Sequence, residues 1–278
     1  MAKKIMVDAG HLGGYNKPPN YPQYCEGDRM WKLSQYLVSA LKAYGFTVGQ
    51  TKTSLNGFPK KADGSDDVYA RGQKAKNYDL LLSLHSNACG TESVNRAVII
   101  QPMDGTQTDL ANKIGACVKA EMGVSSYQIL QRDYDTGKFY YDNKAHSGKD
   151  YYGVIRGAAA VGVPALIIEH GFHTNNAVAK WLMSDANLKS LADAEAKAIA
   201  DYYGVEKSIY RVQVGAYGVK ENAQRMLDML KSSGFTGIIV RVNDLYRVQV
   251  GAFSVKENAD AMQQKLKAAG FTGFVRKV

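Results

Sequence analysis

Cysteine is scarce in this 278-residue chain: only Cys25, Cys89 and Cys117 occur. An odd number with no Cys-x-x-Cys pair argues against a disulfide framework and for a reducing compartment. Cys89 follows His85 by four residues, but it reads as a small inert thiol rather than a nucleophile. Long apolar runs are also missing. The longest, around Gly157 to Ile168, falls well short of the roughly 20 residues that span a bilayer, so no membrane insertion is expected. Met1-Ala2-Lys3-Lys4 runs straight into a strand-like segment with no apolar leader, and the expectation is synthesis in the cytoplasm without a signal peptide. Nor is there a Lys/Arg block or zinc-finger spacing, although 35 basic residues face 26 acidic ones. The excess therefore points to an anionic polymer other than nucleic acid.

What is present is a globular composition, 45% hydrophobic, long enough for one full domain and a small second one. Ile5 to Val7, Leu80 to Leu84 and Ala165 to Ile168 are short apolar runs that end in polar residues, as strands buried on both faces do in an α/β sheet. Met30, Leu33, Leu37, Leu41 and Tyr44 mark a helix face closed by Gly45, and Phe46 to Gln50 continues as a strand. Helices are expected over Asp66 to Lys76, Asp109 to Glu121 and Ala186 to Tyr202. Tyr127 to Tyr152 has no clear period and reads as a loop region beside the site. The expected fold is α/β, a mostly parallel twisted sheet flanked by helices, over residues 1–203.

Four polar residues stand out against that pattern: His11, Glu26, His85 and Glu169. Ligands collect beyond the carboxyl ends of strands in such sheets. His11, His85 and Glu169 would emerge at one edge there, with Glu26 arriving from the loop that opens the first helix. Two histidines and one carboxylate make a known catalytic zinc set, which His11, Glu26 and His85 fit. Glu169 is then the candidate general base and acid. Singly each has another reading: a structural histidine, a helix-start carboxylate at Glu26, a buried paired acid at Glu169. Asp8 is read either as orienting a metal-binding imidazole or as capping the turn. His146 is placed at the rim or nowhere, His170 beside Glu169 rather than on a metal, and His173 as inert near the site or, alternatively, donating to the substrate.

The carboxyl end carries an internal repeat. Tyr210-Arg211-Val212-Gln213-Val214-Gly215-Ala216-Tyr217 recurs 36 residues on as Tyr246-Arg247-Val248-Gln249-Val250-Gly251-Ala252-Phe253, and each copy continues strand, helix, strand. One such unit cannot bury its own apolar face, so two should pack as one small sheet with both helices on one side. Period two then leaves Arg211, Gln213, Arg247 and Gln249 on the open face. Between residues 208 and 278, 11 basic residues face 5 acidic ones.

This repeat resembles the SPOR domain family over residues 209–278, after a linker at 204–208. The resemblance implies a ferredoxin-like α+β fold that binds peptidoglycan glycan strands through that open face, with Tyr217 and Phe253 near its rim. Val7-Asp8-Ala9-Gly10-His11, Glu26, Ser83-Leu84-His85-Ser86-Asn87-Ala88 and Val163-Pro164-Ala165-Leu166-Ile167-Ile168-Glu169-His170-Gly171-Phe172 resemble the motifs of zinc-dependent N-acetylmuramoyl-L-alanine amidases of the amidase_3 family. That resemblance implies zinc on His11, Glu26 and His85, catalysis by Glu169, and cleavage of the bond between N-acetylmuramic acid and L-alanine in bacterial peptidoglycan. Two departures are His11-Leu12-Gly13-Gly14, where the family often has glycine directly after the histidine, and His173 in place of an apolar residue. Action on the wall after release, as an endolysin or an autolysin, would suit a chain without an export signal. A non-catalytic wall-binding protein and a zinc peptidase acting on stem peptides are the alternatives.

Overall fold

The apolar runs become the inner strands of a seven-stranded sheet in the computed structural model, which describes residues 2–278. In chain order the first unit holds β1 (Lys4–Ala9), α1 (Glu26–Ala43), β2 (Thr47–Gln50), α2 (Val68–Gln73), β3 (Leu80–Asn87), β4 (Arg96–Ile100), α3 (Thr108–Met122), β5 (Ser126–Arg132), β6 (Phe139–Tyr140), α4 (Gly153–Ala159), β7 (Ala165–Phe172), α5 (Asn176–Leu182) and α6 (Asp185–Tyr203). The sheet order is β2-β1-β3-β7-β4-β5-β6. β2, β1, β3 and β7 run parallel, whereas β4 pairs antiparallel to β7 and parallel to β5. Ile5, Leu80, Leu81, Leu82, Ile99, Leu166 and Ile168 are almost wholly buried, because helices cover both faces. α1 stops where expected. Gly45 takes φ 86°, and the amides of Gly45 and Phe46 bond back to Lys42 and Leu41, a close that a left-handed residue permits.

Three expectations need correction. Tyr127 to Tyr152 is not all loop: Ser126–Arg132 is β5, with Ile129 and Leu130 buried, and Phe139–Tyr140 forms β6. The three polar residues Gln128, Gln131 and Arg132 break the apolar pattern that would have marked the strand. Only the end of that segment comes near the candidate site, where Tyr152 is within reach of the Glu169 charge. β5 runs against β7, so residues 133–150 start from the edge where β7 begins, and Asp150 lines a cavity of about 300 Å³ with Pro164 and Ala165. The helix expected over Asp66 to Lys76 is shorter, Val68–Gln73, and is opened by Asp67, whose carboxylate accepts from the Ala70 amide. Finally, His85 and Glu169 lie inside their strands, which continue to Asn87 and Phe172.

The second unit, Glu206–Val278 with Lys42–Gly45, contains β8 (Tyr210–Tyr217), α7 (Lys220–Ser232), β9 (Ile238–Val242), β10 (Leu245–Phe253), α8 (Lys256–Ala268) and β11 (Phe274–Lys277). Its four strands are antiparallel in the order β11-β8-β10-β9, two strand-helix-strand units interleaved in the ferredoxin-like manner. Asn243 and Asp244, both at positive φ, make the two-residue turn from β9 to β10. Val212, Val214, Val248 and Val250 pack on Ala223, Leu227, Leu230, Ala259 and Leu266 of the two helices. Tyr217 and Phe253 join this apolar cluster rather than the rim of the open face, because their rings fold back over Gly215 and Gly251. Among the described residues, no helix is long and apolar enough to cross a membrane.

Candidate functional site

β1 and β3 lie side by side, with Ala9 opposite Leu84 and the Gly10 amide bonded to the Leu84 carbonyl at 2.9 Å. This carries His11, just past β1, against His85, and their rings meet edge to face at 4.8 Å. Glu26, the first residue of α1, is buried, and its Oε1 lies 3.4 Å from His11 Nε2 and 3.1 Å from His85 Nδ1. One nitrogen or oxygen from each of the three falls within 4.8 Å of the others. A tetrahedral ion with bonds of about 2.0–2.1 Å needs ligand atoms roughly 3.4 Å apart, so the donor set fits a small divalent metal.

The electrostatics agree with that fit. Burial would raise the Glu26 pKa, yet hydrogen bonds and charge from His11 and His85 hold it far below the usual carboxylate range. Burial pushes the His85 pKa down, against the pull of Glu26, which keeps the imidazole neutral and able to ligate. Glu26 also accepts from the Ser86 amide at 3.0 Å and from Asn16 Nδ2 at 2.6 Å. Asn16 lies 3.3 Å from His11 Nε2 as well, and Tyr15 stacks on the His11 ring at 5.0 Å. Neither Asn16 nor Tyr15 emerges from sequence, since a Gly, Pro and Asn-rich loop gives no period to read.

Gly10 is the tightest element of this construction. A Cβ there would lie 2.3 Å from His85 Cε1 and within 2.6 Å of both ring nitrogens. Gly10→Ala is therefore expected to displace the imidazole and weaken metal binding by roughly tenfold or more, read by competition with a chromophoric chelator. Unaltered affinity would show that His85 does not ligate.

Glu169 sits on β7 directly opposite His85 on β3. Its Oε2 is buried with no hydrogen-bond partner, and burial, reinforced by the charge of Glu26, lifts its pKa well above the ordinary carboxylate value. A buried carboxyl held without a partner is costly for folding and characteristic of proton-transfer chemistry.

The remaining polar residues hold the scaffold. Asp8 neither orients an imidazole nor caps a turn: it is buried in an ion pair with Arg71 at 2.6 Å and also accepts from Thr51 and from Ser83 at 2.7 Å. His170 bonds the His85 carbonyl and Glu195 Oε1, each at 2.8 Å, and so braces β3 from within the core. His173 stacks on Tyr24 and contacts Ser86 Oγ at 2.8 Å. His146 stacks on Tyr140 at 3.8 Å and bonds Asp142, in the segment that starts from the opposite edge of the sheet.

A family model for N-acetylmuramoyl-L-alanine amidases matches residues 5–201, which contain all four of these site residues. The chain belongs to that amidase family. A SPOR domain model matches residues 206–277. The N-acetylmuramoyl-L-alanine amidase CwlM of Bacillus licheniformis is 37% identical over 81 residues, 28% of this chain and 32% of the relative. The sporulation-specific N-acetylmuramoyl-L-alanine amidase of Bacillus subtilis (strain 168) is 35% identical over 82 residues, with the same shares. The chain thus spans about a third of the length of the curated relatives it matches. Among solved structures, the CwlD amidase from Clostridioides difficile superposes with a TM-score of 0.55 over 73% of this chain and 98% of its own, at 18% identity. The amidase fold is therefore shared.

In the SPOR unit, Arg211, Gln213, Arg247 and Gln249 line one concavity of about 270 Å³ on the open sheet face. Gln249 is nearly buried there, because β10 bulges on either side of it. Arg276 and Lys277 of β11 line the same hollow. Period two in a terminal strand of only four residues was too short a signal to find them.

Proposed function

We propose that the amidase unit hydrolyses the amide joining N-acetylmuramic acid to L-alanine in peptidoglycan, with zinc held by His11, Glu26 and His85. The observation that carries this reading is the convergence of the three donor atoms beside a half-buried Glu169 whose Oε2 is buried without a partner among the described residues. Bound zinc lowers the pKa of a coordinated water toward about 7 and polarises a carbonyl. Glu169 takes the proton from the attacking water and returns it to the nitrogen of L-alanine as the C–N bond breaks, leaving a lactyl carboxylate on the sugar and a free amine on the peptide. Asn16 and the Ser86 amide hold the Glu26 carboxylate in place throughout.

The deciding experiment is digestion of purified peptidoglycan by zinc-loaded and chelated protein, with mass spectrometry of what is released. Stem peptides with a free L-alanine amino terminus, appearing only with metal, support the amidase. Shortened peptides would make it a peptidase; intact walls that retain the protein, a binder only.

The SPOR unit supplies the wall-binding half of this reading, since its hollow gathers Arg211, Arg247, Arg276 and Lys277 with two glutamines. Guanidinium groups pair in two-point fashion with carboxylates such as those left on a stripped glycan. Arg211→Ala with Arg247→Ala is expected to lower co-sedimentation with walls by at least about tenfold while sparing soluble muropeptide hydrolysis. Undiminished sedimentation would remove the binding role from this face. Linking the two units raises the local concentration of scissile bonds without adding contacts at the site. The resulting role is lytic, that of an endolysin or an autolysin.

A further inference from the structure

We infer that residues 132–156 form a second glycan-contacting surface on the amidase unit, a platform of exposed aromatic rings that stacks on the N-acetylhexosamine chain of the wall. This rests on the peptidoglycan reading and extends it to a face with no part in the chemistry. Tyr134 and Tyr141 are 51% and 54% exposed, and Phe139 and Tyr151 are exposed beside them. Four large rings left in solvent within one short segment form a patch that no described residue of the unit covers.

The rings are held rigidly. The Arg132 guanidinium lies 3.5 Å from the centre of the Tyr151 ring and 4.5 Å from that of Phe139, and Arg156 lies 4.3 Å from that of Tyr134. Phe139 and Tyr141 stack at 6.4 Å with planes 14° apart. The backbone is stapled beneath them: the Tyr134 amide donates to the Lys149 carbonyl at 2.8 Å, and the Tyr151 amide to the Arg132 carbonyl at 2.9 Å. A platform fixed this way loses little conformational freedom when a ligand arrives.

Its chemistry favours a sugar over other occupants. Five basic and four acidic side chains lie between residues 132 and 156, so the segment has almost no net charge to draw a polyanion. Three of the five cations, Arg132, Lys138 and Arg156, are already committed to rings. A protein partner needs a buried apolar centre with a polar rim, whereas here hydroxyl-bearing rings alternate with charged side chains. A pyranose matches that pattern: its C–H face lies on a ring while its hydroxyl and acetamido edges meet polar neighbours. The surface starts from the edge of the sheet opposite His11, His85 and Glu169. Tyr152, near the end of the segment, is within reach of the Glu169 charge, so the surface runs from that edge toward the site, and glycan held on it adds avidity.

The test uses the full chain with Tyr134→Ala and Tyr141→Ala combined, two exposed positions whose loss leaves the core intact. Co-sedimentation with purified walls should fall about tenfold, while hydrolysis of a soluble muropeptide stays at the wild-type rate. An N-acetylglucosamine tetramer added to the wild-type chain should shift amide resonances of residues 132–156, and those shifts should vanish in the variant. Unchanged wall retention, or tetramer shifts confined to other residues, would overturn the proposal. So would a wild-type dimer that the double variant dissociates while wall binding persists, since the patch would then join copies of this chain. Failure of the amidase reading itself would show separately, as a wild-type chain that leaves the soluble muropeptide uncut.

Discussion

Glu169→Gln is expected to slow hydrolysis of a soluble muropeptide by roughly 10³-fold while leaving the metal content unchanged, because on the proposed mechanism it removes the proton carrier and none of the three ligands. The substitution is nearly isosteric, so the loss cannot come from repacking. It should also leave the metal-free protein no less stable at neutral pH than the wild type. Burial raises the Glu169 pKa above its unfolded value, and an acid shifted upward contributes stability only while protonated, below that range, and loses it as pH rises. An uncharged amide removes that penalty. A variant that melts at or above the wild-type temperature, binds one metal and does not turn over would show strain retained for chemistry. Near-normal turnover would take the acid and base role away from Glu169.

The sheet and the site were legible for the same reason: apolar runs too short for helices must be buried strands, and polar residues in or just past them must face either a partner or a ligand. His11, His85 and Glu169 follow from that rule alone, and Glu26 from its place at the start of an amphipathic helix. The rule fails where polarity is spent inside the fold. β5 was hidden by its glutamines, one of which, Gln131, is buried and donates to three backbone carbonyls. Asp8 sits in the same motif as His11, yet it serves Arg71, a residue 63 positions away whose approach no local pattern announces. Nor does sequence show that His11 takes φ 56°, the left-handed turn from which its ring meets Glu26.

That buried pair sets the second large effect. Arg71→Ala should destabilise the protein by about 3–5 kcal/mol at neutral pH, since it leaves the Asp8 carboxylate desolvated with only Thr51 and Ser83 to answer it. Arg71 also bonds Asp66 and the Ala9 carbonyl, one residue before Gly10, so the turn that aims His11 should loosen and metal affinity fall in parallel. The pH dependence carries the sign of the pair. Burial works to raise the Asp8 pKa, but Arg71 and the hydroxyl donors outweigh it and hold the pKa below 3.8. The stability this contributes is complete above the unfolded value and is lost as pH falls below it through the depressed folded one. Without Arg71 burial prevails, the carboxyl shifts upward, and protonation relieves the variant. Denaturant unfolding should therefore show the wild-type advantage large at pH 7 and shrinking on the way to pH 3. A gap that stays constant over that range would mean the lost stability lies in packing around the Arg71 stem and not in the charge pair. Replacing both residues with leucine should recover part of the loss, because the apolar pair removes the buried Asp8 charge and leaves only the half-buried Asp66 without its partner.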